Sequence, residues 1–157
     1  MSVKIPEESK NFKLLGHDAS AAWGGGSIVE IHKGFAYVGA VGSASYNGPE
    51  GFTVHDVRDP RKPRKVAEVK SPPGVHSHKL RVVDGDFLYV NSERLGGDAG
   101  RNARTGLFIF DISKGGEPKQ VGFYDLPGTG PHRFGVDNKR KLAMLPNNAP
   151  GWNGRVI

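Results

Sequence analysis

TGLFIFDISKGGEPKQVGFYDLP, Thr105 to Pro127, repeats an earlier stretch of the same chain, EGFTVHDVRDPRKPRKVAEVKSP, Glu50 to Pro72. Gly51 matches Gly106, Val54 matches Ile109, Asp56 matches Asp111, Pro63 matches Pro118 and Pro72 matches Pro127, all at a constant offset of 55 residues. Self-similarity at such a period marks a repeat architecture. Each copy holds two β-rich runs around a Pro- or Gly-bearing turn, and so predicts a pair of antiparallel strands.

Working outward, each pair is preceded by a hairpin. SIVEIHKGFAYVGAVG places strands at Ile28 to Ile31 and Phe35 to Val41, and HKLRVVDGDFLYVNSE places them at Leu80 to Val83 and Phe87 to Val90. Gly34 and the Asp84-Gly85 pair supply the turns, since tight hairpins need residues that accept positive φ. A third copy, HRFGVDNKRKLAML, turns over Asp137 to Lys141 and continues at Leu142 to Leu145. The unit is therefore four strands in about 50 residues, a period that points to the blades of a β-propeller. A β-sandwich does not require a self-similar four-strand unit, and a β-helix rung is shorter.

The expectation is an all-β chain of about two complete blades and part of a third. Blade 1 spans about 27–72, blade 2 about 78–127, and an incomplete blade 3 begins at about 132. Residues 1–11 are polar and without pattern and read as a flexible arm before a partial propeller over 12–157. FKLLGH, starting at Phe12, stands in the order of a repeat where the last strand of a neighbouring blade belongs. Because a propeller closes with roughly four to eight blades, the partners expected first are the remaining blades of a longer chain or other copies of this one.

The pattern apolar-x-apolar-apolar-Asp-apolar, followed by a Pro-bearing turn and another apolar strand, resembles the LVIVD-repeat family of β-propellers. GFTVHDVRDPRKPRKVAEV and GLFIFDISKGGEPKQVGFY carry the resemblance, which covers about residues 12 to 157. His55 in an apolar slot and SKGGEP in place of DPRKP depart from it. More distantly the chain is similar to propellers of the selenium-binding-protein type, and that resemblance implies histidines near the central axis holding a metal. The LVIVD resemblance implies a fold and no single reaction.

Composition narrows the function classes. The chain has 157 residues, 23 Gly, 11 Pro, no Cys and a formal charge of +6. Thiolate metal sites and disulfides are excluded, and no window approaches the roughly 18 consecutive apolar residues of a membrane span. With no apolar signal run at the start, the expected location is the cytoplasm. The basic run of Arg58, Arg61, Lys62, Arg64 and Lys65 falls in a turn interrupted by Pro60 and Pro63 and holds no aromatic residue for base stacking. It reads as a solvated turn, which argues against a nucleic-acid partner.

Blade geometry sorts the loops onto two faces. The long ones, HDASAAWGGG, GSASYNGPE, SPPGVHSH, SERLGGDAGRNART, PGTGPH and PNNAPGWNG, share one face, and with them four of the six histidines. Loops on a rigid scaffold tend to carry binding residues. His78 and His132 occupy matching places immediately before the inner strands, Gly26 takes that place in blade 1, and His76 lies two residues before His78. Neutral imidazoles converging from successive blades suit Zn, Fe, Cu or Ni; the competing reading is that these histidines cap strand ends. His17, Trp23, Asn91, Glu93, Arg94, Asn147, Asn148 and Trp152 are further residues of the loop face. Asp56 and Asp111 read as turn carboxylates. Two functions follow as expectations. One is a scaffold binding a protein or small molecule on the loop face. The other is a metal-dependent oxidoreductase, lyase or hydrolase with its histidines at the axis.

Overall fold

The computed structural model describes residues 10–18, 25–42, 50–96, 100–148, 151 and 155–156. Its strands are β1 (Gly25–His32), β2 (Phe35–Val41), β3 (Gly51–Asp56), β4 (Arg64–Lys70), β5 (Val75–His76), β6 (Leu80–Val83) and β7 (Phe87–Arg94). They continue with β8 (Gly106–Asp111), β9 (Lys119–Asp125), β10 (Gly135–Asp137), β11 (Leu142–Met144), β12 (Asn147–Asn148) and β13 (Arg155–Val156). Among the described residues there is no α-helix, and no helix long and apolar enough to cross a membrane.

The strands pair in sequence order. β1-β2-β3-β4 form one four-stranded antiparallel meander and β6-β7-β8-β9 a second, with the short β5 also pairing β7; β10 pairs β11, and β12 pairs β13. Both repeats bend at the same place, since the register shifts between Val54 and His55 in one and between Ile109 and Phe110 in the other. The first hairpin closes through the two residues Lys33-Gly34 and the second through the three residues Asp84, Gly85 and Asp86; Lys33, Gly34, Asp84 and Gly85 are all at positive φ, as tight hairpin turns require. Leu145 and Pro146 separate β11 from β12, and a proline cannot donate to a ladder.

The two meanders face each other across one apolar core. Tyr37, Phe52 and Val54 from the first meet Leu80, Leu88, Val90, Phe110 and Ile112 around the second. Phe52 and Phe110, one residue from each repeat, meet edge to face at 5.2 Å. The Tyr37 hydroxyl donates to the Gly115 carbonyl at 3.0 Å, and burial together with nearby Asp86 pushes its pKa up to about 12. The first strands of successive hairpins are neighbours, β1 beside β6 and β6 beside β10.

Three features depart from or extend the expectation. Residues 12–17 form no strand; the backbone there runs against the β3–β4 turn, where a Cβ on Gly16 would meet the Pro60 carbonyl oxygen at 2.5 Å. The buried His55 bonds Thr53 Oγ1 at 2.9 Å and Asp18 Oδ2 at 3.2 Å, so its apolar slot is filled by a satisfied polar ring. The basic turn is tied down from within. Arg58 and Arg64 both reach the Asp56 carboxylate, and Lys65 reaches Glu68.

Candidate metal centre

The site begins with one buried amide. Asn91 on β7 is 0% exposed. Its Oδ1 accepts from the backbone N–H groups of His78 (3.0 Å) and Lys79 (2.8 Å), and its Nδ2 donates to the carbonyls of His76 (3.2 Å) and Pro131 (3.1 Å). All the hydrogen-bonding capacity of the amide is used, as burial demands. One side chain thus fixes the two segments that carry all three histidines, 76–79 and 131–132.

β5 sets the direction of His76. Its pairing with β7 puts His76 opposite Glu93, while His78, two residues on, lies on the same side. The rings of His76 and His78 are 3.9 Å apart between centroids, those of His78 and His132 5.6 Å, and those of His76 and His132 5.9 Å. Two carboxylates complete the cluster. Glu50 Oε1 lies 2.9 Å from His76 Nδ1, and Glu93 Oε2 lies 2.5 Å from His132 Nδ1. A carboxylate can only accept, so each Nδ1 donates to its glutamate, and Nε2 is the ring atom left to face a metal.

Glu50, His76 and His78 form one set of potential ligands and His76, Glu93 and His132 another; in each set the ligand atoms lie within 4.8 Å of one another. Burial acts on Glu50 to raise its pKa. The His76 hydrogen bond and charge, with backbone N–H groups of Ser77 and Gly42, outweigh it and hold the carboxyl below its usual value. His78, 3% exposed, is pushed down to about 3 by burial and by the charges of His76 and Lys79, against the pull of Glu50. It is therefore a neutral imidazole at physiological pH, and its buried Nδ1 has no hydrogen-bond partner among the described residues. A neutral ring with an orphaned nitrogen beside two carboxylate-oriented histidines has the donor chemistry of a divalent transition-metal site.

The other residues singled out in the sequence are spread more widely. Asn147 is buried and its Nδ2 donates to the Pro127 carbonyl. Asn148 is exposed on β12, and Arg94, also exposed, ends β7 with its backbone N–H on Thr129. His17 is exposed and next to Gly16, at the end of β3 opposite Glu50, a strand length of about 20 Å away. Trp23 and Trp152 lie outside the described residues. Asp56 accepts from the backbone N–H of Arg58 and Asp111 from that of Ser113, the same contact in both repeats.

Glu50 is the member that sequence reasoning missed. Its repeat mate is Thr105, so the register gave no signal there, and only the placement of its loop on the histidine-rich face hinted at it. Lys79, Arg81 and Arg133 were also passed over, although Lys79 and Arg133 directly follow the registered histidines. They line a cavity of about 290 Å³ with Ile28, Leu80 and Phe134. Burial, and then the charges of Arg133 and Arg81, hold Lys79 below the usual lysine value. Comparison with models of known protein families and with curated proteins finds no match.

Proposed function

We propose that this chain is a metal-binding β-propeller segment of the LVIVD-repeat kind, in which His76, His78 and His132, with Glu50 and Glu93, hold a divalent transition metal (Zn, Fe, Cu or Ni) near the axis. The observation that carries the reading is the convergence of the two His/Glu sets through a shared His76. Two four-stranded meanders with adjacent inner strands support the propeller. The apolar side chains left exposed on β1 (Val29, Ile31) and β11 (Leu142, Met144) support further blades, or other copies of the chain, packing against them.

The donor set suits chemistry on a small molecule. A bound metal of this class supplies Lewis acidity or, for Fe and Cu, electron transfer. The protein's part is to keep the rings oriented through Glu50 and Glu93, to keep His78 unprotonated, and to hold the histidine segments together through Asn91. This favours the enzyme reading, an oxidoreductase, lyase or hydrolase, over a scaffold whose loop face binds without chemistry.

Dialysis of the 157-residue chain against Zn²⁺ or Cu²⁺, followed by metal analysis, tests the proposal. We expect about one tightly held equivalent and a higher melting temperature in its presence. The His78→Ala/His132→Ala pair should abolish both. Metal retention untouched by that pair, or no stoichiometric uptake by the native chain, would leave the scaffold reading in its place.

A further inference from the structure

The cavity lined by Lys79 and Arg133, which follow His78 and His132 in the chain, has a charge imbalance that the metal centre does not use. Leu80 on β6 is fully buried and Phe134, before β10, is also buried, and both turn into the core. Lys79, Arg81 and Arg133 line the cavity together with these two residues and Ile28. Arg81 pairs with Glu30 at 3.1 Å, and among the described residues Lys79 Nζ bonds only the neutral Ser27 hydroxyl, at 3.1 Å. Arg133 makes no hydrogen bond or ion pair among the described residues. Three cations thus line a cavity large enough for several atoms, and among the described residues only Arg81 is paired directly with a carboxylate.

Glu93 of the adjacent cluster acts on Lys79, but more weakly than Arg133 and Arg81 do. The positive cavity therefore remains a separate centre of attraction, and Arg133 offers a planar fork matched to carboxylate or phosphate oxygens.

We propose that Lys79, Arg81 and Arg133 form an anion subsite that holds the carboxylate or phosphate group of a small organic substrate while the remainder of that molecule reaches the histidine cluster. The substrate assignment rests on the metal-centre reading; the anion subsite itself does not. Because Lys79 follows His78 and Arg133 follows His132 in the chain, the Asn91 bonds that place the histidine segments place these two cations as well. A substrate with its anionic group a few bonds from the reacting atom would be fixed at both ends.

Calorimetric titration of the full chain with inorganic phosphate and with malonate, in metal-free and Zn-loaded forms, tests this. Saturable binding of at least one anion is expected, and the anion preferred separates a phosphate-bearing from a carboxylate-bearing substrate. Arg133→Gln and Lys79→Gln should each weaken binding by about tenfold, the scale of one charge-assisted hydrogen bond. Arg140→Gln, at an exposed turn where Arg140 pairs with Asp137, should leave it unchanged, and Arg133→Gln should not alter zinc stoichiometry. Absence of saturable binding of either anion, or equal weakening by Arg140→Gln, would overturn the subsite. Arg133-dependent anion binding by a chain that takes up no zinc would sustain the subsite and sink the metal centre instead.

Discussion

At the scale of single residues, Asn91 carries the most consequence. Removing its amide in Asn91→Ala strands the N–H groups of His78 and Lys79 and the carbonyls of His76 and Pro131. Leaving buried polar groups without partners costs about 3 kcal/mol, and chemical denaturation should read a loss of that order. Metal affinity should fall by about 10- to 100-fold in the same variant, because the ligand-bearing segments lose their alignment. An Asn91→Ala protein that is destabilised yet binds metal as tightly as the native chain would show that the amide serves packing alone. His78 and Asn91 also show how far a sequence can be read. The register of the repeat puts His78 and His132 in equivalent places, but nothing in the chain announces that Asn91 bonds four backbone groups. Those bonds depend on β7 passing both histidine segments at hydrogen-bonding distance, which is a tertiary fact.

At the scale of elements, the hairpins and outer strand pairs were legible because their signals are local. Alternation marks β2 and β7, Asp84-Gly85 marks a turn, and the offset from Gly51 to Gly106 marks β3 and β8 as copies. β5 was less legible, being two residues long and defined only by its partner, and FKLLGH misled because an apolar run becomes a strand only where another strand is there to pair with it. The β3–β4 turn makes a prediction of its own. The hydrogen bonds and charge of Arg58, with a further side-chain hydrogen bond from Arg64, hold the Asp56 carboxyl well below its usual range. The unfolded chain therefore takes up the proton first as the pH falls. The stabilisation is complete above about pH 4, the ordinary aspartate value, and is lost as the pH drops toward the folded-state value. Asp56→Asn should lower the melting temperature at pH 7, and its difference from the native chain should narrow below about pH 4. A difference that stays constant through that window would assign the effect to shape, not charge.

At the scale of the whole molecule, apolar side chains remain uncovered at both lateral edges. Ile31 on β1 is 69% exposed, and Leu142 and Met144 on β11 are each more than half exposed. If other copies complete the ring, analytical ultracentrifugation should show association that grows with concentration, and Ile31→Lys with Met144→Lys should shift the population to the monomer. A native chain that stays monomeric throughout would assign those faces to further blades instead. The cluster between the meanders is also lopsided in a way the repeat conceals. Among the described residues, β5, β7 and the segment between β5 and β6 supply His76, Glu93 and His78, the segment before β10 supplies His132, and the first meander supplies Glu50 alone. At the sequence offset of 52 residues between the two inner hairpins, Gly26 and Gly39 stand where the second has His78 and Asn91. A Cβ at Gly39 would lie 2.1 Å from the His78 carbonyl oxygen, so the first meander contributes room where the second contributes ligands. The two repeats are alike in pairing and unlike in office: one is the donor and the other its mould, and a side chain added to the mould would press on the donor's backbone before it touched a ligand.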